Sequence, residues 1–171
     1  MDNMKLLLPL DLQYFAATMH AKDALHGAMG KAYVKIEGRR YLLAQLINLE
    51  ARMDKTKSKL PIMGKTGKGN RSTGWEGTGS ATFYFNTSIF RALLKRYKDT
   101  GEDVYFEIQV ENEDASSAAG RQDTVLIDCN MDGGIIAMLD ADAEYLEETI
   151  DFTFEDWDMP TEFDVLDVMN S

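Results

Sequence analysis

Cysteine is nearly missing from this chain of 171 residues, and the one present, Cys129, excludes an internal disulfide framework and fits a reducing compartment. Long apolar runs are missing too. The longest near the start is Leu6-Leu7-Leu8-Pro9-Leu10, far short of the ~18 residues a membrane span needs. It is also too short for the apolar region of a secretory leader, whose basic start Asp2 would spoil. Histidine occurs only at positions 20 and 26, which leaves nothing beyond residue 31 to act as a base for a Cys129 nucleophile. Neither histidine has cysteines or carboxylates at ligand spacing, so a zinc site is not expected. Basic residues are almost absent from the second half. Residues 102–171 hold Arg121 and 21 acids, whereas residues 1–101 hold 17 basic residues and 8 acids. The two segments carry −20 and +9, which sum to the chain's −11. That net charge argues against a nucleic-acid binder that works by neutralising phosphates.

What is present suits one globular domain: 44% hydrophobic and 27% charged residues, close to the globular average. A chain of this size buries roughly 70% of the surface its unfolded form exposes. The charge split has two readings. Either the halves interleave and neutralise each other within one fold, or a basic surface on one copy meets an acidic surface on the next, head to tail.

Residues 1–29 show no sustained period and read as an N-terminal arm with an apolar cluster at Leu12, Tyr14 and Phe15. Strict alternation, the mark of half-buried strands, starts at Lys31: Ala32, Val34 and Ile36 against Tyr33, Lys35 and Glu37. A turn at Glu37–Arg40 leads to a second strand region over 41–55. Residues 56–74 read as a long polar loop with four glycines, no acid, and the basic residues Lys57, Lys59, Lys65, Lys68 and Arg71. Loops beyond ~12–15 residues are uncommon in compact domains and tend to be functional or disordered. Interface and solvated loop are both open for this one.

A strand follows over 75–85. One helix is then predicted, with cap candidates Asn86-Thr87-Ser88, an apolar stripe of Ile89, Phe90, Leu93, Leu94 and Tyr97, and a stop at Gly101. Arg91, Lys95, Arg96 and Lys98 fall on its polar side. Further alternation covers 104–111 and 124–131, the latter with Val125, Ile127, Cys129 and Met131 inward. After Gly133-Gly134 come Ile135–Leu139 and a last strand, with Ile150, Phe152 and Phe154 against Asp151, Thr153 and Glu155. Residues 159–171 read as an acidic tail whose apolar anchors include Phe163 and Leu166. About seven strands and one flanking helix indicate a mainly β fold, a β-sandwich or small barrel.

The catalytic and ligand motifs fail on inspection. Gly64-Lys-Thr66 suggests a phosphate loop, but the glycine required five positions earlier is Lys59, and no helix follows to hold the anion. Asp140-Ala-Asp142-Ala-Glu144 opens like a calcium loop, but Tyr145 replaces the turn glycine. The pair Glu107/Glu111 has a glycosidase-like look, but among 29 acids such a pair arises by chance. Cys129 sits on an inward strand face as a small core residue. No enzyme and no cofactor are expected.

Several stretches in order carry a family resemblance: Gly30-Lys-Ala-Tyr-Val-Lys-Ile-Glu-Gly38, Gly64-Lys-Thr-Gly-Lys-Gly69, Ser72-Thr-Gly-Trp-Glu-Gly-Thr-Gly-Ser80, Thr87-Ser-Ile-Phe-Arg91, Gly120-Arg121-Gln122 and Asp151-Phe-Thr-Phe-Glu-Asp-Trp157. Together, residues 30–158 resemble the tail tube proteins of tailed phages, in particular the PBSX-like family of Gram-positive phages and prophages. Residues 1–29 depart from that pattern, and Leu10-Asp-Leu-Gln-Tyr-Phe-Ala16 resembles the opening of other virion proteins.

The resemblance implies a tail-tube fold, self-association into hexameric rings, and stacking into the conduit through which DNA leaves the capsid. The implied partners are further copies of the chain, a sheath if the tail is contractile, and a tape-measure protein and transiting DNA in the lumen. The implied location is the virion tail, with assembly in the host cytoplasm. It favours the head-to-tail reading of the charge split, with the basic 56–74 residues meeting Asp140, Asp142, Glu144, Glu147 and Glu148, or the 158–167 tail, on an adjacent copy. Glu50, Glu107, Asp151 and Glu155 are the candidates for a negative lumen. The alternatives are a contractile injection or bacteriocin-like device and a virion-surface binding β-sandwich, which usually shows an exposed aromatic cluster in one loop region; here Trp75 and Trp157 sit at strand ends.

Overall fold

A computed structural model describes residues 19–166 and 169. The Leu12–Phe15 cluster lies outside them. Eight strands and one helix follow in order: β1 (Lys31–Ile36), β2 (Arg39–Leu42), β3 (Leu46–Leu60), β4 (Gly69–Tyr84), α1 (Ile89–Thr100), β5 (Phe106–Glu113), β6 (Arg121–Met131), β7 (Glu147–Phe154) and β8 (Asp156–Thr161). All pairings are antiparallel, in the order β2-β1-β5-β6-β7-β4-β3, and the sheet does not close. Strand β6 joins the two halves. It pairs with β5 along one edge, while its other edge takes β8 at 123–127 and β7 at 130–131. Pro160 sits in β8, which pairs only with β6, where a missing N–H costs least.

The inward rows of both halves share one core. Val34, Ile36, Phe106, Ile108 and Cys129 come from one side, and Phe83, Ile150 and Phe152 from the other. Helix α1 closes over it, its Phe90 ring 5.2 Å from Phe83 and 6.2 Å from Phe106. The helix stops as expected at Gly101, whose left-handed conformation (φ 75°) lets its N–H donate to the Tyr97 carbonyl.

Phe152 and Phe154 lie against bare backbone. Their cross-strand partners are Gly79 and Gly77. An added Cβ would come within 2.5 Å of the Phe154 ring at Gly77, and closer still to the Phe152 ring at Gly79. Glycine is required there by packing, not by backbone angle.

Five sequence expectations need correction. The polar stretch 56–74 is not a loop. Strands β3 and β4 run through most of it in continuous register, from Leu46↔Phe83 to Leu60↔Gly69, with bulges, and only 61–68 turn. In β6, Val125 and Ile127 do not face inward. A bulge with Asp128 at φ 53° shifts the phase, so Leu126 and Cys129 are the buried residues. Ile135–Leu139 form no strand. Strand β8 runs into the acidic tail as far as Thr161.

Finally, Arg91 is not on the solvent side of α1, and Glu148 is not a free interface acid. Glu148 lies opposite Phe83 of β4, at a core-facing register position, and its side chain is 2% exposed. There both its oxygens accept from Arg91 Nη1, at 3.0 and 2.9 Å. The guanidinium also stacks on Phe85 and donates to the Thr87 carbonyl.

Candidate self-assembly interface

Chain direction fixes which features share an end of the molecule. Strand β4 starts at the hairpin tip and ends at Tyr84, which packs edge-on against Tyr145 in the 132–146 segment. Fifteen steps at ~3.3 Å separate the two ends by about 50 Å. Strand β7 is antiparallel to both β4 and β6, so those two run in the same sense. The 114–120 loop therefore lies toward the starting end with the hairpin, while the 132–146 segment leaves β6 level with Gly79, midway along β4, and reaches the finishing end at Tyr145 and Leu146, beside Tyr84 and Phe85.

The hairpin extends beyond the core. From Asp54 to Glu76 almost every residue is exposed. Lys57, Lys59, Lys65, Lys68 and Arg71 are all exposed, and none has an ion-pair partner among the described residues. Lys57 and Lys59 continue the strand row that holds Met53 and Lys55. Arg71 pairs with Ser58 in the alternate row. The tip adds what the charge pattern did not reveal: Leu60 and Ile62 are exposed, and Met63 is completely so. The run Leu60-Pro61-Ile62-Met63 within an otherwise polar stretch was the available signal.

The opposite end mirrors this composition with the opposite charge. Asp140, Asp142, Glu144 and Glu147 are exposed, alongside Ile136, Leu139 and Tyr145. These four are exposed along one stretch of chain, whereas Glu148 is withdrawn into the core. Phe163 and Leu166 are half-buried near the other end, where the Asp164 N–H donates to the Ala119 carbonyl at 2.8 Å.

The proposed lumen acids divide. Glu50 and Asp151 flank Ser80 from either side on the outer face of β3-β4-β7, around a shallow groove that also takes in Arg52 and Asp132. Across 48–54, 76–82 and 149–153 that face carries Glu50, Asp54, Glu76 and Asp151 against Arg52 alone. Glu155 lies just past β7, beside Glu76 and Thr153. Glu107 is elsewhere, on the outer face of β1-β5, with one oxygen 2.9 Å from Lys35 Nζ. On that face the charges are balanced internally: Arg40 lies over Tyr33 and reaches Gln109 and Glu111, while Arg121 holds Asp123.

One junction escaped sequence reading. Residues 19–29 form two short 3-10 turns in which only Asp23 is buried. The Ala118 N–H donates to Asp23 Oδ1 at 3.2 Å, and Ser117 Oγ donates to the Asp23 carbonyl at 3.1 Å. In return the His26 N–H donates to Asp114 Oδ2 at 3.1 Å. Asp114 also accepts from the Ser116 N–H, and these backbone donors hold its pKa below the usual carboxylate value. The Asp114-Ala-Ser116 pattern is a turn signal; nothing near Asp23 announces its role. Cys129 is fully buried, and desolvation pushes its thiol up to about 12, so it is inert.

A sequence profile of the family described as "Phage tail tube protein" matches residues 17–161. The chain belongs to that family. It is 44% identical over 142 residues to the phage-like element PBSX protein XkdM of Bacillus subtilis (strain 168), covering 83% of this chain and 94% of the relative. The fold is similar to a chain of an extracellular contractile injection system, the PVC sheath–tube complex in its extended state (TM-score 0.59, 5% identity, 77% of this chain and 88% of the other). It is likewise similar to the SPP1 tail tube (TM-score 0.54, 10% identity, 90% and 87%). This tail tube protein is thus a structural component of the virion tail, and not an enzyme. Its mainly β fold agrees with the sequence reading, with eight strands in place of about seven.

Proposed function

We propose that this tail tube protein forms hexameric rings that stack head to tail, with the basic hairpin tip of one copy seated on the acidic 132–146 segment of the next. One observation carries the reading: two patches of matching apolar and opposite charged character lie about 50 Å apart at opposite ends of β4, too far to meet within a subunit. Of the two acidic segments considered, 158–167 lies at the hairpin's own end, beside the 114–120 loop. That favours 132–146 as the acceptor. Exposed pairs contribute only ~0–1 kcal/mol each, so affinity comes mainly from Leu60, Ile62 and Met63 meeting Ile136, Leu139 and Tyr145. Charge sets the rate and direction of ring addition. The face bearing Glu50 and Asp151 lines the lumen, where net negative charge lets DNA pass without binding; Glu107 is reassigned to another surface. A sheath joins as partner where the tail is contractile, and a tape-measure protein occupies the lumen during assembly in the host cytoplasm.

The test is assembly kinetics followed by light scattering. With a Debye length of about 8 Å at physiological salt and ~3 Å at 1 M, raising salt slows growth while finished tubes persist. Lys57→Glu, Lys65→Glu and Lys68→Glu together slow it further, and Asp140→Lys with Asp142→Lys restores part of the rate. Equal growth rates at low and high salt would return the charge split to an intramolecular balance.

A further inference from the structure

The stem of the hairpin has two unlike faces. Strand pairing sets Lys55, Lys57 and Lys59 opposite Trp75, Ser72 and Asn70 in one row. That row continues from Gly77, whose missing Cβ leaves room for the buried Phe154 ring, and Trp75 packs on the same ring at 6.2 Å. It is therefore the inward face of the sheet, carried past the end of the core. The reverse face of the same stretch pairs Asp54 with Glu76, Thr56 with Gly74 and Ser58 with Arg71. The inward face thus holds lysines and no acid, whereas on the reverse face two acids outweigh one arginine. Within the subunit the inward stem is open. Its lysines are exposed, and Trp75 keeps 41% of its surface exposed on a row that is dry further along β4.

Two lengths match. From tip to base the hairpin is apolar at Leu60, Ile62 and Met63, basic at Lys59, Lys57 and Lys55, and aromatic at Trp75. Trp75 and Gly69 are six strand steps apart, about 20 Å. The 132–146 segment starts level with Gly79 and ends beside Tyr84, five steps along β4 or about 17 Å. In chain order it offers Ile136 and Leu139, then Asp140, Asp142 and Glu144, and Glu147 follows opposite Tyr84.

We infer that the inward face of the stem lies lengthwise along the 132–146 segment of the next copy, so that stacked subunits overlap by about 20 Å. The inference rests on the head-to-tail reading and specifies how that contact is made. The apolar turn reaches Ile136 and Leu139, the lysine row runs along the acids, and the finishing end covers Trp75. A tip that only abutted the finishing end would leave the lysine row and the 140–144 acids both facing solvent. Arg71, on the reverse face, takes no part.

Two measurements on the full-length protein test it. In a Trp157→Phe background Trp75 is the only tryptophan left. Tube growth then shifts its emission to shorter wavelength and reduces its quenching by acrylamide. The second compares variants that lower the net charge equally on opposite faces. Lys57→Gln/Lys59→Gln slows growth by roughly tenfold, within the range over which interface variants move an association rate, and Thr56→Glu/Arg71→Gln by about twofold or less. Tubes with unchanged Trp75 emission and quenching, or equal slowing by the two pairs, overturn the lengthwise contact and leave the tube reading intact. Unaltered protein that forms no tubes overturns the head-to-tail reading, and this inference with it.

Discussion

Replacing Arg91 by methionine tests how α1 is held to the sheet. Glu148 lies in the core-facing row of β7, with its side chain 2% exposed and both oxygens on Arg91 Nη1 at 3.0 and 2.9 Å. Methionine conserves the stem and removes the charge, stranding a buried carboxylate. Breaking a buried pair from one side costs about 3–5 kcal/mol. With a urea m-value of ~2 kcal/mol/M for a chain of this size, the midpoint falls by roughly 2 M. Glu148→Leu alone strands the guanidinium, which at 18% exposure still reaches water and loses less. The double variant Arg91→Met/Glu148→Leu recovers most of the loss, because neither charge is left uncompensated and the site becomes apolar beside Phe83 and Phe85. Urea unfolding followed by circular dichroism, at concentrations too low for assembly, gives all three midpoints. A single-variant loss under ~1 kcal/mol, typical of a solvent-exposed pair, would refute the reasoning. So would a double variant as unstable as the sum of the singles.

Gly79→Ala forces a Cβ into the Phe152 ring and to 3.0 Å from the Glu50 carbonyl; overpacking costs about 1–3 kcal/mol, read as a lower thermal midpoint, and an unchanged midpoint contradicts the close contact. The 19–29 docking is pH-dependent with a definite sign: because backbone hydrogen bonds lower the Asp114 pKa, its contribution is complete above the unfolded carboxyl value and is lost as pH falls through the folded value. Hydrogen exchange at the His26 and Ser116 amides therefore accelerates, relative to the intrinsic rate, at acid pH and in Asp114→Asn at neutral pH. Cys129, with its thiol pushed up to about 12, resists alkylation at pH 8 until the protein is unfolded.

The elements that could be read from sequence are those with one dry face. Ala32, Val34 and Ile36 alternate against polar neighbours, and the α1 stripe repeats at helical spacing, because burial selects for both patterns. The hairpin beyond Asp54 has water on both faces. Its alternation is lysine against threonine and serine, and that period carries no burial signal. In β6 the bulge at Asp128 exchanges the faces, and an alternation rule applied across it assigns Val125 and Leu126 to the wrong sides. Glu148 shows the same limit for the candidate site: among consecutive acids, only its cross-strand position opposite Phe83 separates a core ion pair from a surface charge. The charge split itself was legible, but its meaning needed the direction of β4, which sets the two patches at opposite ends.

The central claim is that the hairpin tip of one subunit rests on the acidic segment of the next along the tube axis. Electron cryo-microscopy of tubes grown from the purified protein tests it most directly. The account predicts hexameric rings in which Leu60, Ile62 and Met63 contact Ile136, Leu139 and Tyr145 of the adjoining ring. A map of well-formed tubes in which the tip projects free into solvent, with 132–146 covered by some other segment, would contradict it.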